Sequence, residues 1–277
     1  MAITTLDQLV DALGNNSSRI IIDKASLANQ TAGRYCAMWR STGQPAQGAI
    51  PTTSALCTNA TTGAIGFVQQ TAPATSYIGG IDVVGGNSAQ TLEIHDRIAH
   101  MGGLVLNVTT AQTVTGLDLN TLAPSADRIG QADFSDLQWW LEVYADGGAT
   151  AANATINVTY NNGTTGNLNV LAVGGTVRIG NRFALTPLIP TTDQGKFIRG
   201  INSVTLSAST GTAGNFGFTC TRPRLYLPLG LANLSNGLDW ASAKLPEVPN
   251  GSCLELMVLP STTSSGTLRG GGKIAHG

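Results

Sequence analysis

The sequence predicts a mainly β protein, an antiparallel β-sandwich or jelly roll with a short N-terminal helix and extended arms. Three observations favour this class. Apolar and polar residues alternate in several segments between 134 and 228, turn residues separate these segments, and no helical pattern lies between them. A period of two gives a strand one buried and one exposed face. Strands without intervening helices favour an antiparallel arrangement over a parallel α/β sheet.

The first predicted element is a helix over residues 5–13. Thr5 and Gln8 have the spacing of a capping box, and Gly14 is typical of a helix C-terminus. So short a helix is stable only when it packs on something. Four residues at i, i+3, i+4 and i+7 would form its apolar face, which we predict to be an interface: Leu6, Leu9, Val10 and Leu13.

The next part of the chain is expected to be an arm. Strand-like runs at 19–23 and 35–40 are followed by a region rich in proline and glycine at 41–73. We interpret that region as an ordered arm or loop with short β pieces, with a disordered linker as the alternative. The predicted organisation is therefore a helix and arm at 1–80, a β body at 81–260 and a tail at 261–277.

The β pattern is clearest at 134–228. In 137–145, Trp139 lies on the apolar face, whereas Trp140, Glu142 and Tyr144 lie on the other face. An outward Trp140 beside Tyr144 is a candidate interface anchor. A second sheet that covers this face would explain the pattern equally well.

The last predicted strand is 253–259. The residues after it resemble a mobile tail. Residues 261–277 are rich in Ser, Thr and Gly, a composition that is normally mobile at a chain end. We expect both ends of the chain to be held in place by a neighbouring molecule.

Charge is unusually scarce. Charged residues make up 11% of the 277 residues and the formal net charge is -1, against roughly 25% charged residues in an average domain. No charged residue lies between Arg40 and Asp82, between Asp146 and Arg178, or between Arg199 and Arg222. Without a basic excess we expect no direct binding to nucleic acid. Uncharged polar residues are cheaper to bury than ions, which favours an assembly role; a neutral extracellular β domain is the alternative.

The compartment is expected to be a cytoplasm. The chain opens without a secretory pattern and has no apolar run of membrane-spanning length. The cysteines are widely spaced, which disfavours zinc and leaves their pairing open: Cys36, Cys57, Cys220 and Cys253.

Two groups of residues could carry chemistry. His95, Asp96 and His100 have metal-ligand side chains, but the two histidines are five residues apart and would point to opposite faces of a strand. A surface cluster of hydrogen bonds or ion pairs is the simpler interpretation. Asp133, Asp136 and Glu142 would suit glycoside hydrolysis. We assign no catalytic, cofactor-binding or metal-binding residue from the sequence.

Taken together, the capped helix at 5–13, the uncharged arm at 41–81 and the β body at 134–228 resemble structural proteins of tailed bacteriophage virions. The resemblance is one of overall character. No long amphipathic helix is visible, which disfavours the common major capsid fold. The resemblance implies a decoration or cement protein.

Such a protein would be a homo-oligomer, with a trimer possible, that contacts the major capsid protein of a virion assembled in the host cytoplasm. It would need no cofactor and no membrane. The alternative is a tail or fibre module that binds host glycans through Trp140 and Tyr144, and a glycosidase is the third reading.

Overall fold

The computed structural model describes residues 2–175 and 177–277 and is mainly β, as predicted. Its α-helices are α1 (Leu6–Asn15), α2 (Leu119–Leu122) and α3 (Ala126–Ile129), and its 3-10 turns are Met38–Arg40, Thr186–Leu188 and Thr191–Asp193. The strands are β1 (Ser17–Lys24), β2 (Cys36–Ala37), β3 (Gly43–Gln44), β4 (Ala55–Leu56), β5 (Ser76–Gly85), β6 (Gln90–Leu104), β7 (Gln112–Thr113), β8 (Gln138–Ala145), β9 (Ala152–Tyr160), β10 (Thr165–Asn167), β11 (Leu171–Val173), β12 (Arg182–Ala184), β13 (Ile198–Leu206), β14 (Asn215–Leu229), β15 (Ser235–Asp239), β16 (Glu247–Val248), β17 (Leu254–Leu259) and β18 (Leu268–His276).

The strands form three sheets. Sheet I has the order β15-β5-β18-β1-β3, with β16 also paired to β5. Sheet II has the order β10-β9-β13-β7, with β11 also paired to β9. Sheet III has the order β12-β8-β14-β6-β17-β2, with β4 also paired to β6. Antiparallel pairing in all three sheets agrees with the class predicted from the alternating pattern.

The chain divides into two compact units. Unit 1 comprises Met1–Ala49, Cys57–Asp96 and Pro223–Gly277, and unit 2 comprises Ile50–Leu56 and Arg97–Arg222. Both long strands of sheet III, β6 and β14, contribute residues to each unit. Each unit has its own apolar core.

In unit 1 the core lies between sheet I and the adjoining part of sheet III. Ile20 and Ile78 of sheet I belong to the same buried cluster as Leu92, Leu225 and Leu256 of sheet III. Apolar side chains on the facing sides of two sheets are what a β-sandwich requires.

In unit 2 the core lies between sheet II and the adjoining part of sheet III. Ile156 and Val204 of sheet II share a buried cluster with Trp139, Val143 and Phe218 of sheet III. The alternation in 153–160 therefore arises from a strand whose one face is buried against a second sheet.

The predicted N-terminal helix is present as α1. The Thr5 side chain accepts a hydrogen bond from the Gln8 backbone N–H, and the Gln8 side chain accepts from the Thr5 backbone N–H. This is the predicted capping box, which satisfies two N–H groups that lack a partner within the helix. The helix continues to Asn15, past the Gly14 that the sequence suggested as its end.

The strand predicted at 35–40 is wrong from its fourth residue onward. Only Cys36–Ala37 is extended, and Met38–Arg40 forms a 3-10 turn. The turn places the buried Trp39 ring against Gly48, where its Nε1 donates a 3.0 Å hydrogen bond to the Ala49 carbonyl. Burial of this large ring outweighs the local β pattern.

The prediction that residues 261–277 form a tail is also wrong. Residues Leu268–His276 form β18, which lies between β5 and β1 inside sheet I. Glycine allows this position, because a Cβ at Gly272 would lie 2.2 Å from the Gly80 carbonyl oxygen. Contacts within the chain itself hold both ends of its described part, since α1 packs on β18.

Candidate interaction surfaces and the buried charge cluster

The outer face of sheet II is uncharged along β9, β10, β11 and the part of β13 that follows Arg199. Two of the charge-free stretches of the sequence meet here, because β9, β10 and β11 lie between Asp146 and Arg178, whereas the second half of β13 lies after Arg199. Cross-strand register brings Asn157 opposite Ser203 and Thr155 opposite Thr205. Sequence spacing alone gave no sign that the two stretches would be neighbours.

The amide side chains on this face are joined in a ladder across three strands. Asn157 Nδ2 donates to Asn167 Oδ1 at 2.8 Å, and Asn202 Nδ2 donates to Asn157 Oδ1 at 2.9 Å. Thr159 Oγ1 donates to Asn202 Oδ1 at 3.0 Å. Because the groups already satisfy one another in part, covering them with a partner surface costs less than covering isolated polar groups. We call residues 155, 157, 167, 202, 203 and 205 the amide face.

The predicted interface residues of α1 divide into two sets. Leu9 is buried in a small cluster with Ala12 and Ala275, and Leu13 packs at its edge. Leu6 and Val10 are 55% and 58% exposed. Leu9 and Leu13 therefore attach the helix to its own sheet, and of the four residues only Leu6 and Val10 are available to a partner.

An apolar groove runs beside the start of α1. Leu6 and Leu9 line one side, and Trp240 and Leu245 line the other. Trp240 is 36% exposed. The residues around Trp240 show no clear alternating pattern, so the sequence does not predict that this side chain lines a groove.

The prediction that Trp140 and Tyr144 face outward as an interface platform is wrong. They are 3% and 0% exposed. Trp140 Nε1 donates a 2.8 Å hydrogen bond to Thr221 Oγ1, and the Tyr144 hydroxyl lies 3.1 Å from Thr219 Oγ1. Both rings are buried and hydrogen-bonded to threonines of β14, so this face of β8 is covered, which is the alternative that the sequence left open.

The covered face carries a buried charge cluster centred on Glu142. Arg97 Nη1 and Arg182 Nη2 each donate to Glu142 Oε2 at 2.9 Å, and Thr219 Oγ1 donates to the same oxygen. Arg97 Nη2 also donates to the Tyr144 hydroxyl at 2.7 Å. The side chains of Arg97, Arg182 and Glu142 have no exposed surface.

This cluster holds Glu142 ionised. Burial raises the pKa of Glu142. The guanidinium groups of Arg182 and Arg97 outweigh this effect, so the pKa lies at about 2, below the ordinary 4.5. Burial raises the pKa of Tyr144, so its hydroxyl stays protonated. A carboxylate fixed in this way is a structural ion and is unsuited to protonate a glycosidic oxygen.

The other two carboxylates of the glycosidase reading have local roles. Asp136 Oδ2 pairs with Arg222 Nη2 at 3.1 Å. Hydrogen bonds from the Ser135 side chain and from the Ser135 backbone N–H lower the pKa of Asp133, and the backbone bond to Asp133 Oδ1 is 3.0 Å long. The structure gives Glu142 a different environment from this pair, with two arginine partners and complete burial.

His95, Asp96 and His100 are all buried, so the prediction that they form a surface cluster is wrong. His95 Nε2 lies 2.7 Å from Glu93 Oε2. Asp96 accepts hydrogen bonds of 2.9 Å from the Ser252 hydroxyl and from the Cys253 N–H. His100 Nδ1 accepts from Arg97 Nε at 3.0 Å. Each side chain thus has its own polar partners, and the described residues contain no cluster of three metal-ligating side chains.

All four cysteines are buried. Cys220 of β14 is 0% exposed and belongs to the apolar core of unit 2. Among the described residues, no helix has the length and apolar composition needed to cross a membrane.

Comparisons with known proteins give low-scoring structural neighbours only. No family model and no curated protein matches the sequence. The structure of infectious bursal disease virus Gt strain is similar over 94% of this chain and 81% of that chain, with 11% identity and a TM-score of 0.17. Particles derived from infectious bursal virus score 0.18, with 9% identity over 97% of this chain and 83% of that chain. The VP2 subviral particle of infectious bursal disease virus scores 0.16, with 12% identity over 97% and 85% of the two chains. TM-scores of this size fall short of a shared fold.

Proposed function

We propose that this chain is a structural protein of a virus particle, which decorates or cements a tailed-phage capsid through contacts between subunits. The observation that carries the proposal is the amide face of sheet II. Two charge-free stretches of sequence converge on one sheet surface, and their side chains bond to one another. A protein that works by association needs a surface that can be covered without desolvating ions.

The apolar residues of α1 support the same proposal. Leu6 and Val10 are exposed on a helix that is anchored by its capping box and by Leu9 and Ala12. Exposed apolar residues on an ordered element are typical of protein contact sites. The partners in this proposal are the major capsid protein and further copies of this chain.

The buried charge cluster supports a scaffold role for unit 2. Arg97 and Arg182 bind the same oxygen of Glu142, and the strands that carry these residues are β6, β12 and β8. Ion pairs from two strands to one buried carboxylate on a third fix the arrangement of these strands at that point. A fixed arrangement suits a repeated subunit, whose contacts must be the same in every copy.

The test is quantitative mass spectrometry of particles purified from the source of this sequence, followed by binding of variants to particles that lack the chain. The proposal expects a copy number matching the shell. Thr155→Glu with Thr205→Glu places two carboxylates on the amide face and should abolish binding. Thr212→Glu, in an exposed loop, is the matched control and should bind normally.

The outcomes separate the possibilities. A few copies per particle would place the chain at a tail or vertex and contradict the decoration role. Absence from purified particles would contradict the proposal altogether. Full binding by the Thr155→Glu/Thr205→Glu variant would show that the amide face is not the contact.

A further inference from the structure

The outer edge of sheet I is formed by β15. This strand ends the strand order of the sheet, so among the described residues no strand pairs with its outer side. A free strand edge presents backbone N–H and C=O groups that can pair with another chain, and proteins usually protect such an edge with charged residues or proline. Residues 231–238 contain neither. The outer edge of β15 is therefore open to a further strand.

Two residues of β15 direct free backbone groups towards this edge. The Asp239 N–H donates to Ser242 Oγ at 3.0 Å, and the Asp239 carbonyl accepts from the Ala243 N–H at 2.9 Å, so the backbone of Asp239 points away from β5. Residues of an antiparallel pair alternate in this respect along the strand, and Gly237 and Ser235 therefore point the same way. Within the described residues neither has a hydrogen-bond partner on that side.

A free carboxylate reaches towards the same edge. Asp82 of β5 is exposed and directly opposite Gly237, and within the part of the chain that the structure describes it forms no ion pair or hydrogen bond. A Cβ at Gly237 would lie 2.1 Å from Asp82 Oδ1, so the carboxylate lies over the glycine. In a hydrogen-bonded pair of strands, opposed residues have Cα atoms about 5.5 Å apart. A hydroxyl side chain opposite Gly237 on a further strand would therefore lie within reach of Asp82.

We propose that the outer edge of β15 pairs with β15 of a second copy of this chain, in a two-fold antiparallel dimer centred on Asn236. Ser235 of each copy lies opposite Gly237 of the other. In both of these pairs the residues exchange their backbone N–H···O bonds, which uses all the free backbone groups at 235 and 237. Sheet I then continues across the dimer, and the same contact recurs in both directions, as two-fold symmetry requires.

The outer face of this pair favours a second copy as the occupant. Ser235 and Gly237 are two residues apart, so their side-chain positions share one face with Asp82. Opposite Gly237 of one copy, Ser235 of the other places its hydroxyl beside the free Asp82 carboxylate. Hydrogen bonds to an ionised acceptor are about twice as strong as neutral ones. Symmetry makes this bond form twice, and it gives Asp82 a partner in each copy.

The inner face and the ends of the pair are also compatible with a second copy. Leu234 precedes β15 and is 52% exposed. In the dimer it lies opposite Leu238 of the other copy, which packs against the apolar core of unit 1. Asp239 lies opposite the uncharged Asn233, so the pairing opposes no like charges. Backbone bonding, charge and apolar burial thus agree on one register, and the dimer is independent of the proposed role in a virus particle.

The test measures the dimer dissociation constant by sedimentation. Ser235→Asp places a carboxylate beside Asp82 of the other copy and should weaken the dimer at least tenfold. Asp82→Ser removes the acceptor and should also weaken it. The double variant Asp82→Ser/Ser235→Asp exchanges donor and acceptor and should recover the dimer. Ser235→Pro removes an N–H that faces outward, a position where an edge strand tolerates proline, and should abolish the dimer.

Ser26→Asp is the matched control. Ser26 is exposed beyond the end of β1, away from the β15 edge, so the same added charge should leave the dissociation constant unchanged. Thr155→Glu/Thr205→Glu alters the amide face and should also leave it unchanged, which separates this test from that of the proposed function. Circular dichroism checks that each variant keeps its sheets.

Three results would overturn the proposed dimer. One is a wild-type chain that stays monomeric at millimolar concentration. Another is a dimer that tolerates both Ser235→Asp and Ser235→Pro. The third is an exchange variant, Asp82→Ser/Ser235→Asp, that dimerises no better than Ser235→Asp alone, because the register centred on Asn236 places these two side chains together. None of these results depends on whether the chain is found in particles.

Discussion

Arg97 and Glu142 are joined by a 2.9 Å ion pair in which neither side chain has any exposed surface. Arg182 binds the same carboxylate oxygen at the same distance. A buried carboxylate with two arginine partners links three strands of unit 2, β6, β8 and β12. Its removal leaves charges buried without compensation, which is the costly kind of change.

We predict that Glu142→Gln lowers the free energy of unfolding by about 3–5 kcal/mol, because it leaves two buried guanidinium groups without their counter-charge. The measurement is chemical denaturation followed by tryptophan fluorescence. The control is Asp146→Asn, which removes the carboxylate of the half-exposed Arg178–Asp146 pair. Such a surface pair contributes about 0–1 kcal/mol to stability. Equal losses in the free energy of unfolding for the two variants would contradict the structural role of Glu142.

We predict that Glu142 makes the fold sensitive to acid. Its folded-state pKa of about 2 lies below the ordinary 4.5, so its stabilising contribution is complete above about pH 4.5. The contribution falls as the pH drops from 4.5 towards 2, because the unfolded chain takes up the proton first. The free energy of unfolding, measured across this pH range, should fall more steeply for the wild type than for Glu142→Gln. Parallel curves would contradict the prediction.

We predict that β18 depends on its glycines. A Cβ at Gly272 would lie 2.2 Å from the Gly80 carbonyl oxygen, so Gly272→Ala should lower stability by about 1–3 kcal/mol through overpacking. Gly14→Ala is the matched control. Position 14 lies in α1 with nothing within 4 Å of the added Cβ, and the change should be neutral or stabilise the helix by about 0.5–1 kcal/mol. Thermal unfolding compares the two, and equal melting temperatures would contradict the role of Gly272.

We predict that attachment to particles through the amide face survives 1 M NaCl. Salt at about 1 M reduces the screening length to about 3 Å and weakens exposed ion pairs. It has little effect on contacts between amide and hydroxyl groups. Release of the chain from purified particles at this salt concentration would contradict the proposed contact.

The sequence predicted the parts of the fold that depend on local patterns. The alternation in 153–160 correctly indicated a strand with one buried face, and the spacing of Thr5 and Gln8 correctly indicated a capped helix. Both signals are local, because strand alternation and helix capping involve residues only a few positions apart.

The sites were harder to predict, and Trp140 and Tyr144 show why. Their alternation with Trp139 and Leu141 correctly separated two faces of β8. It could not tell whether the second face meets solvent or protein. A charged Glu142 between two aromatic residues suggested an exposed face, because its partners Arg97 and Arg182 lie about 40 residues away in either direction.

Composition and local pattern by themselves determined the β class, the capped helix and the scarcity of charge in this protein. Only the tertiary structure decided that the glycine-rich C-terminal residues form a strand inside sheet I, that Glu142 is a buried ion between Arg97 and Arg182, and that two distant uncharged stretches share the amide face. The physical reason is that strand pairing and ion pairing in a β-sandwich join residues far apart in the chain. A local pattern specifies which faces differ, whereas long-range pairing specifies what covers each face.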